Sequence, residues 1–580
     1  MAQAVDGITS DVEQLIERVR ELERRVAALE GQPGLDPQKS AAPESIDFAL
    51  QSPRPATTWR GFPGVEVAGD AVPVLGKAIL GIAGAYLLRA VAESGAIPKI
   101  LILMVAIAYA GFWMVWAVRT HAANRFASGA YGATSALILS PLLWESTVRF
   151  QVLAPAFTAA VLVTFVVLAL ALSWRRELQL VPWVTTLAAV ITALALILAT
   201  RLLVPFTAAL LAIALATEVA ACLEHRLSLR AVPSLAADFA VWLLVDVMTS
   251  SGGVPEGYRP ASARAIILLC LILFAVYGGS IAVRSFALRR RITILEIGQG
   301  ALTFFLAAFG IMRASQGSAA TALGAVSLLL TAVCYWGALS RFTDEAYTRD
   351  RRVFAAYAAV LLLAGSYLLL PVNLRVPFLS LAAIASAVVY ARTGKLSLGL
   401  HASFYLAAAV AASSLASWAT SALARTVPGA PDWGVWIVVM SSALCYVFGS
   451  RGAQAAQDPP KRRLLWVLHA VLGSFAGAAL AVVAIAWLAA GRVELSASRL
   501  SVIRTTVNCA LALALGYLGS RGKRIELGWV AYAAVAFGTL KLLFEDLRFG
   551  NAASLVVSLL FYGLILILLP RLMRRSWGAA

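Results

Sequence analysis

From Val74 to Pro570 the chain is written in runs of about twenty mainly apolar residues separated by short polar breaks. At 1.5 Å per helical residue, each run is long enough to cross a bilayer. About eighteen such runs can be counted, starting near 74–92 and 98–118, passing through one near 398–424, and ending near 525–545 and 551–570. The pattern predicts an all-α fold, a polytopic transmembrane helical bundle over 74–575. The loops rarely exceed about a dozen residues, which leaves no room outside the bilayer for a second folded domain.

The first part of the chain follows another period. Ile8, Val12, Leu15, Val19, Leu22, Val26 and Leu29 form a heptad seam, with Ser10 and Glu13 as a capping box and Gly31 and Pro33 as the stop. Valine at a and leucine at d favour a parallel pair of strands, and that register sets Arg18 against Glu23 and Arg25 against Glu30. Residues 1–31 therefore read as a cytoplasmic coiled-coil helix, with homodimerisation through residues 8–29 or docking as a single amphipathic helix as its two uses. Residues 32–73 turn to Pro, Gly, Ser, Ala and Gln and read as a flexible linker. The start of the chain lacks a basic segment followed by a short apolar run, so no cleaved signal peptide is expected.

Composition narrows the class. With 61% hydrophobic and 13% charged residues and a mean hydropathy of +0.82, a soluble enzyme is excluded. The formal charge of +18 is spread singly and in short runs between apolar segments, so it signals topology and gives no nucleic-acid surface. Loops such as "RTHAANR", "WRRELQL", "RSFALRRR" and "SRGAQAAQDPPKRR" fall on one side of the alternation. "TSSGGVPEGYRPAS" and "RTVPGAPD", which are poor in Lys and Arg, fall on the other. By the positive-inside rule both termini are cytoplasmic and the span count is even. Cys222, Cys270, Cys334, Cys445 and Cys509 sit at scattered positions within apolar runs, an arrangement of small buried thiols.

Several stretches carry a family texture: "VPVLGKAILGIAGAYLLRAVAESGAIP", "LILSPLLWESTVRF", "RRVFAAYAAVLLLAGSYLLLP" and "ELGWVAYAAVAFGTLKLLFEDLRFGNAASLVVSLLFYGLILILLPRLMRR". Together they resemble the domain-of-unknown-function 2339 family of predicted bacterial membrane proteins, over most of Val74 to Arg575. The resemblance implies a bacterial inner membrane and many helices, and it carries over no catalytic residue.

No phosphate-binding loop, nucleophile elbow, zinc-protease motif or paired-aspartate motif occurs, so no catalytic, cofactor or metal residue is assigned. His121, His225, His401 and His469 map near cytoplasmic helix ends, where an interfacial imidazole needs no metal. Trp174, Trp183 and Trp433 suggest an interfacial belt, and Gly473 with Gly477 in "GSFAG" suggests a close helix approach. Charges within spans are costlier, several kcal/mol each when neither paired nor hydrated. Arg89 and Glu93, Glu145 and Arg149, and Lys541 and Glu545 are three oppositely charged i, i+4 pairs at the outer ends of the first, third and seventeenth spans. Asp546 follows the last pair, and Asp246 and Arg504 reach similar depth. Asp238 lies about halfway along its span and reads as nearly on the face of Asp246, either as a hydrogen-bonded pin or in a proton-linked role. Lys77, Glu218 and Glu296 lie near cytoplasmic ends, where snorkelling leaves them without a function.

Membrane lipid is the expected partner. The leading expectation is transport or flipping of an envelope-related amphiphilic or anionic substrate through a polar cavity open to the periplasm. The ten charges from Arg89 to Asp546 named above form its candidate substrate site. The alternatives are a membrane-embedded glycosyl- or acyl-transferase using Glu93, Glu145 or Asp546 as acid or base, and a scaffold dimerised by the coiled coil.

Overall fold

The structure, a computed structural model, describes residues 63–580 apart from 95–96, 121–124, 175–179, 224–229, 343–346, 425–428, 455–458, 491–495, 523, 547–551 and 578–580. The coiled coil at 1–31 lies outside the described residues, as does the linker up to residue 62. The chain divides into two compact units, 1–69 and 70–580, and apart from the first residues of the first helix all that follows concerns the second.

The described residues hold helices and no strand. In chain order they are α1 (Pro63–Ser94), α2 (Lys99–Arg119), α3 (Arg125–Trp144), α4 (Pro155–Trp174), α5 (Leu180–Thr200), α6 (Leu203–Cys222), α7 (Ala231–Met248), α8 (Ala263–Ala282), α9 (Ile294–Ala314) and α10 (Ala320–Trp336). They continue as α11 (Thr348–Leu369), α12 (Val372–Thr393), α13 (Leu396–Ala412), α14 (Leu415–Ala424), α15 (Trp433–Gln454), α16 (Pro459–Ala490), α17 (Ala497–Gly522), α18 (Ile525–Lys541) and α19 (Ala552–Trp577). Among the described residues, 17 helices are long and apolar enough to cross a membrane, and the pair α13 and α14 raises the number to as many as 18. The all-α polytopic bundle expected from the apolar runs is the observed fold.

Three departures from the sequence reading have local causes. First, α1 begins at Pro63, inside the stretch read as linker; proline at the first helical position gives up an amide that would have no acceptor there. Second, the run at 398–424 is broken into α13 and α14, bent by 71°. At the break Ser413 Oγ takes the Leu415 amide at 3.3 Å and Ser414 Oγ donates to Asp432 at 3.0 Å, so side chains replace the helical bonds. Third, Gly477 faces open space, and only Gly473 touches a neighbouring helix, with a Cβ position 3.4 Å from Ser442 Oγ. The close glycine crossing is elsewhere: a Cβ on Gly324 of α10 would lie 2.7 Å from the Leu369 amide nitrogen of α11.

Among the described residues four helices end in a five-residue π turn: Glu145–Arg149 after α3, Val283–Ala287 after α8, Gly337–Arg341 after α10 and Leu542–Asp546 after α18. Such turns redirect side chains at helix ends and recur at functional sites. The two that follow α3 and α8 carry members of the charged clusters described below.

The packed interior has a large apolar cluster drawn from α2 to α9, a second running from α11 to α17, and a third joining α16 to α19. Helix α1 is peripheral. Only 17% of its most apolar stretch is buried, and Leu80 and Leu87 are 76% and 67% exposed, as side chains turned to lipid are. It is held to α2 where Gly81 lets the Trp113 ring approach and Gly84 the Tyr109 ring, and the Tyr109 hydroxyl donates to the Gly81 carbonyl at 3.1 Å.

Candidate functional site

The C-terminal ends of α1 and α3 meet. The π turn after α3 closes with the Phe150 amide on the Glu145 carbonyl at 2.8 Å and the Val152 amide on the Ser146 carbonyl at 2.9 Å. Gln151 adopts a left-handed φ of 51° to complete the reversal. Glu145 and Arg149, read from sequence as a local pair, do not pair with each other. Each reaches across to α1: Arg89 Nη1 lies 2.8 Å from Glu145 Oε1, and Arg149 Nη1 lies 3.3 Å from Glu93 Oε1. The local Arg89 and Glu93 pair also forms, at 3.4 Å. The result is a chain of four alternating charges across two helices.

Beneath it opens a cleft of about 40 Å³ whose walls include Leu88, Ala92, Ile102, Leu103 and Leu142, and whose mouth carries Arg89, Glu145 and Lys99. The Lys99 ammonium stands 4.8 Å over the Phe150 ring and Arg149 lies 5.6 Å from it on the same aromatic platform. The cleft itself is thus lined by two cations, Arg89 and Lys99, and one carboxylate, Glu145, an excess of one positive charge.

Among the described residues the four side chains form their ion pairs with one another, and Lys541 and Arg504 are placed in a different cluster. Lys541, buried, donates to Thr505 Oγ1 at 2.7 Å and the Ser501 carbonyl at 3.0 Å. Arg504, from the same turn of α17, donates from Nε to the Ala422 carbonyl at 2.8 Å. That carbonyl belongs to the last turn of α14, where a cation meets the negative end of the helix dipole. Arg504 therefore holds the bent half-helix. The side chains of Glu545 and Asp546 lie outside the described residues. Asp246 is exposed whereas Asp238 is 4% exposed, so the two do not share a face; eight residues turn an α-helix well past two full turns.

A second charged cluster was missed in the sequence. Glu218 and Glu296, read as snorkelling, are each 5% exposed. Arg230, just before α7, binds Glu218 through two bonds, Nε to Oε1 at 3.1 Å and Nη2 to Oε2 at 2.9 Å, and reaches Glu296 Oε1 at 3.1 Å. Burial opposes the Arg230 charge, but the two glutamates outweigh it and hold its pKa above the ordinary arginine value. Arg284, from the π turn after α8, binds the same Glu296 oxygen. The other Glu296 oxygen takes the Thr293 amide at 2.7 Å, completing a capping box at the start of α9. Ser280 adds a bond to Glu218 at 2.5 Å. The signal was present in the sequence: an acid one turn from a basic loop on two helices, with arginines following. Their convergence depends on helix packing, which spacing along one chain does not reveal.

His401 and His469 are buried rather than interfacial, His401 Nδ1 lying 2.8 Å from the Tyr335 hydroxyl. Among the described residues no three His, Cys, Asp or Glu side chains could share a metal ion. Four cysteines are buried and Cys222 is half-buried. No family model, curated protein or solved structure matches the chain.

Proposed function

We propose that this multi-pass membrane protein is a transporter or flippase for an anionic amphiphile of the bacterial envelope. The substrate enters sideways between α1 and the body of the bundle at the periplasmic surface. One observation carries the reading: an apolar cleft beside a lipid-exposed helix is lined by Arg89 and Lys99 against a single carboxylate, Glu145, and Arg89 is tied through Glu93 to Arg149. Acyl chains match its walls and an anionic headgroup matches its mouth.

At about 40 Å³ the cleft holds only a few water molecules, too little for a lipid headgroup, so the described state is closed and α1 must swing away for passage. Its attachment through two glycines suits that movement. The sidedness follows from the basic loops, and the broken helix keeps the count even. Helix α13, 17 residues and about 25 Å long, nearly crosses the hydrocarbon, and α14, turned 71°, adds only about 5 Å. In this reading the pair makes one crossing and α14 lies close to the membrane plane, beside the start of α15. A transferase is the second reading, favoured by Glu145 at the mouth of the cleft; as acid or base it would act only after release from Arg89.

The test is proteoliposomes carrying fluorescent phosphatidylglycerol or phosphatidylcholine, with exposure of the label read by dithionite quenching. Transbilayer movement of the anionic lipid should exceed that in empty vesicles and that of the zwitterionic lipid. Lys99→Gln should slow it about tenfold, the cost of one charge-assisted contact. Equal rates with and without protein would refute the reading.

A further inference from the structure

We infer that Asp238 is a proton-binding site, reached through a polar file that starts at the buried Glu218, Arg230 and Glu296 cluster. Asp238 lies about 10 Å along α7 from its first residue, at hydrocarbon depth. Its Oδ2 accepts from Gln299 Nε2 at 2.7 Å, while Oδ1 is enclosed with no hydrogen-bond partner among the described residues. A carboxylate charge there would rest on one neutral hydrogen bond; a proton on Oδ1 removes that charge and satisfies the rule that buried ions be paired.

The route to it is also visible. Gln299 stands one turn beyond Glu296 on α9, and Ser234 one turn before Asp238 on α7. Gln299, Ser234, Tyr277 and Ser280 share with the charged cluster a cavity of about 10 Å³, the size that admits one water. On the other side of Asp238 the interior closes with the buried apolar Val241, Leu244 and Leu273, and the buried Thr303 hydroxyl there is taken up by the Gln299 carbonyl at 2.9 Å. The polar file therefore opens toward one end only, that of the α6 to α7 and α8 to α9 connections.

The groups facing Asp238 are few. Helix α6 contributes Glu218; α8 contributes Tyr277 and Cys270, with Arg284 in the turn that follows; α9 contributes Gln299 and Glu296. Helix α5 has no titratable side chain, Asp246 on α7 itself is exposed, and Arg230 precedes that helix. The protonation does not depend on the transport reading; only its use as a driving force does.

The test uses the full chain in lipid nanodiscs and infrared difference spectra between mildly acidic and mildly alkaline pH. A carboxylic-acid carbonyl band should appear with acid, be lost completely in Asp238→Asn, and persist in Asp246→Asn. A spectrum without any band dependent on Asp238 would make the residue a fixed pin and overturn the inference. Wild-type protein treated with dicyclohexylcarbodiimide, which adds to protonated acids in apolar surroundings, supplies a measurement independent of variant folding. Mass spectrometry should find the adduct on Asp238, several-fold less at alkaline pH, and pH-independent or absent labelling would likewise overturn it. Failure of lipid movement with a titrating Asp238 would remove the transport reading and leave this one.

Discussion

Glu296→Ala is expected to destabilise the protein by about 3–5 kcal/mol, the largest single-residue effect in the described bundle, because it strips a buried acid from two arginines at once. Arg284 would lose its carboxylate outright, and Arg230 would keep only Glu218. The capping box at Thr293 would go with it, at a further cost of about 1 kcal/mol. Glu296→Gln keeps the amide contacts and loses only the charge, so its defect should fall between alanine and wild type. Adding Arg284→Met to Glu296→Gln should recover part of the loss, since the stranded cation is then absent. Thermal unfolding of detergent-solubilised protein reads all three. A Glu296→Ala protein as stable as wild type would mean that these side chains are hydrated.

The second large effect is on activity. Exchanging Arg89 and Glu93 leaves their own i, i+4 pair intact with its polarity reversed, so a self-contained pair would tolerate it. The observed network does not: glutamate at 89 would face Glu145, and arginine at 93 would face Arg149. Movement of phosphatidylglycerol should fall about tenfold while abundance stays close to normal, because three of the four side chains are 37% to 58% exposed, only Glu145 lies lower at 18%, and exposed pairs contribute only about 0.2–1 kcal/mol each to stability. Exchanging Glu145 and Arg149 as well restores every cross-helix pair and should return a large part of the rate. Unchanged transport after the first exchange would show that the α1 to α3 network has no part in it.

The bundle was legible because crossing a bilayer forces about twenty apolar residues into each run, whatever their neighbours. Four of the candidate residues were legible for a related reason: Arg89, Glu93, Glu145 and Arg149 stand out where a charge is costly. Their pairing was not legible, since a π turn after α3 and the approach of α1 decide that Glu145 meets Arg89 instead of Arg149. Glu218 and Glu296 were misread because a helix-end acid that snorkels and one that is buried between neighbouring helices look alike in sequence. Ser413 and Ser414 gave no warning of a break, being two serines among many in apolar runs. Lys541 was grouped with Arg89 by depth alone, and depth does not say which neighbours a helix has.

The cleft beside α1 can be tested directly with a photoreactive amino acid in place of Leu142, which lines it, in the full chain in native membranes. After irradiation, mass spectrometry of the attached lipid identifies what occupies the cleft. The proposed function predicts adducts enriched in an anionic amphiphile well above its share of the membrane, with the enrichment lost in Arg89→Gln. Adducts in bulk membrane proportion, unchanged by Arg89→Gln, would contradict it.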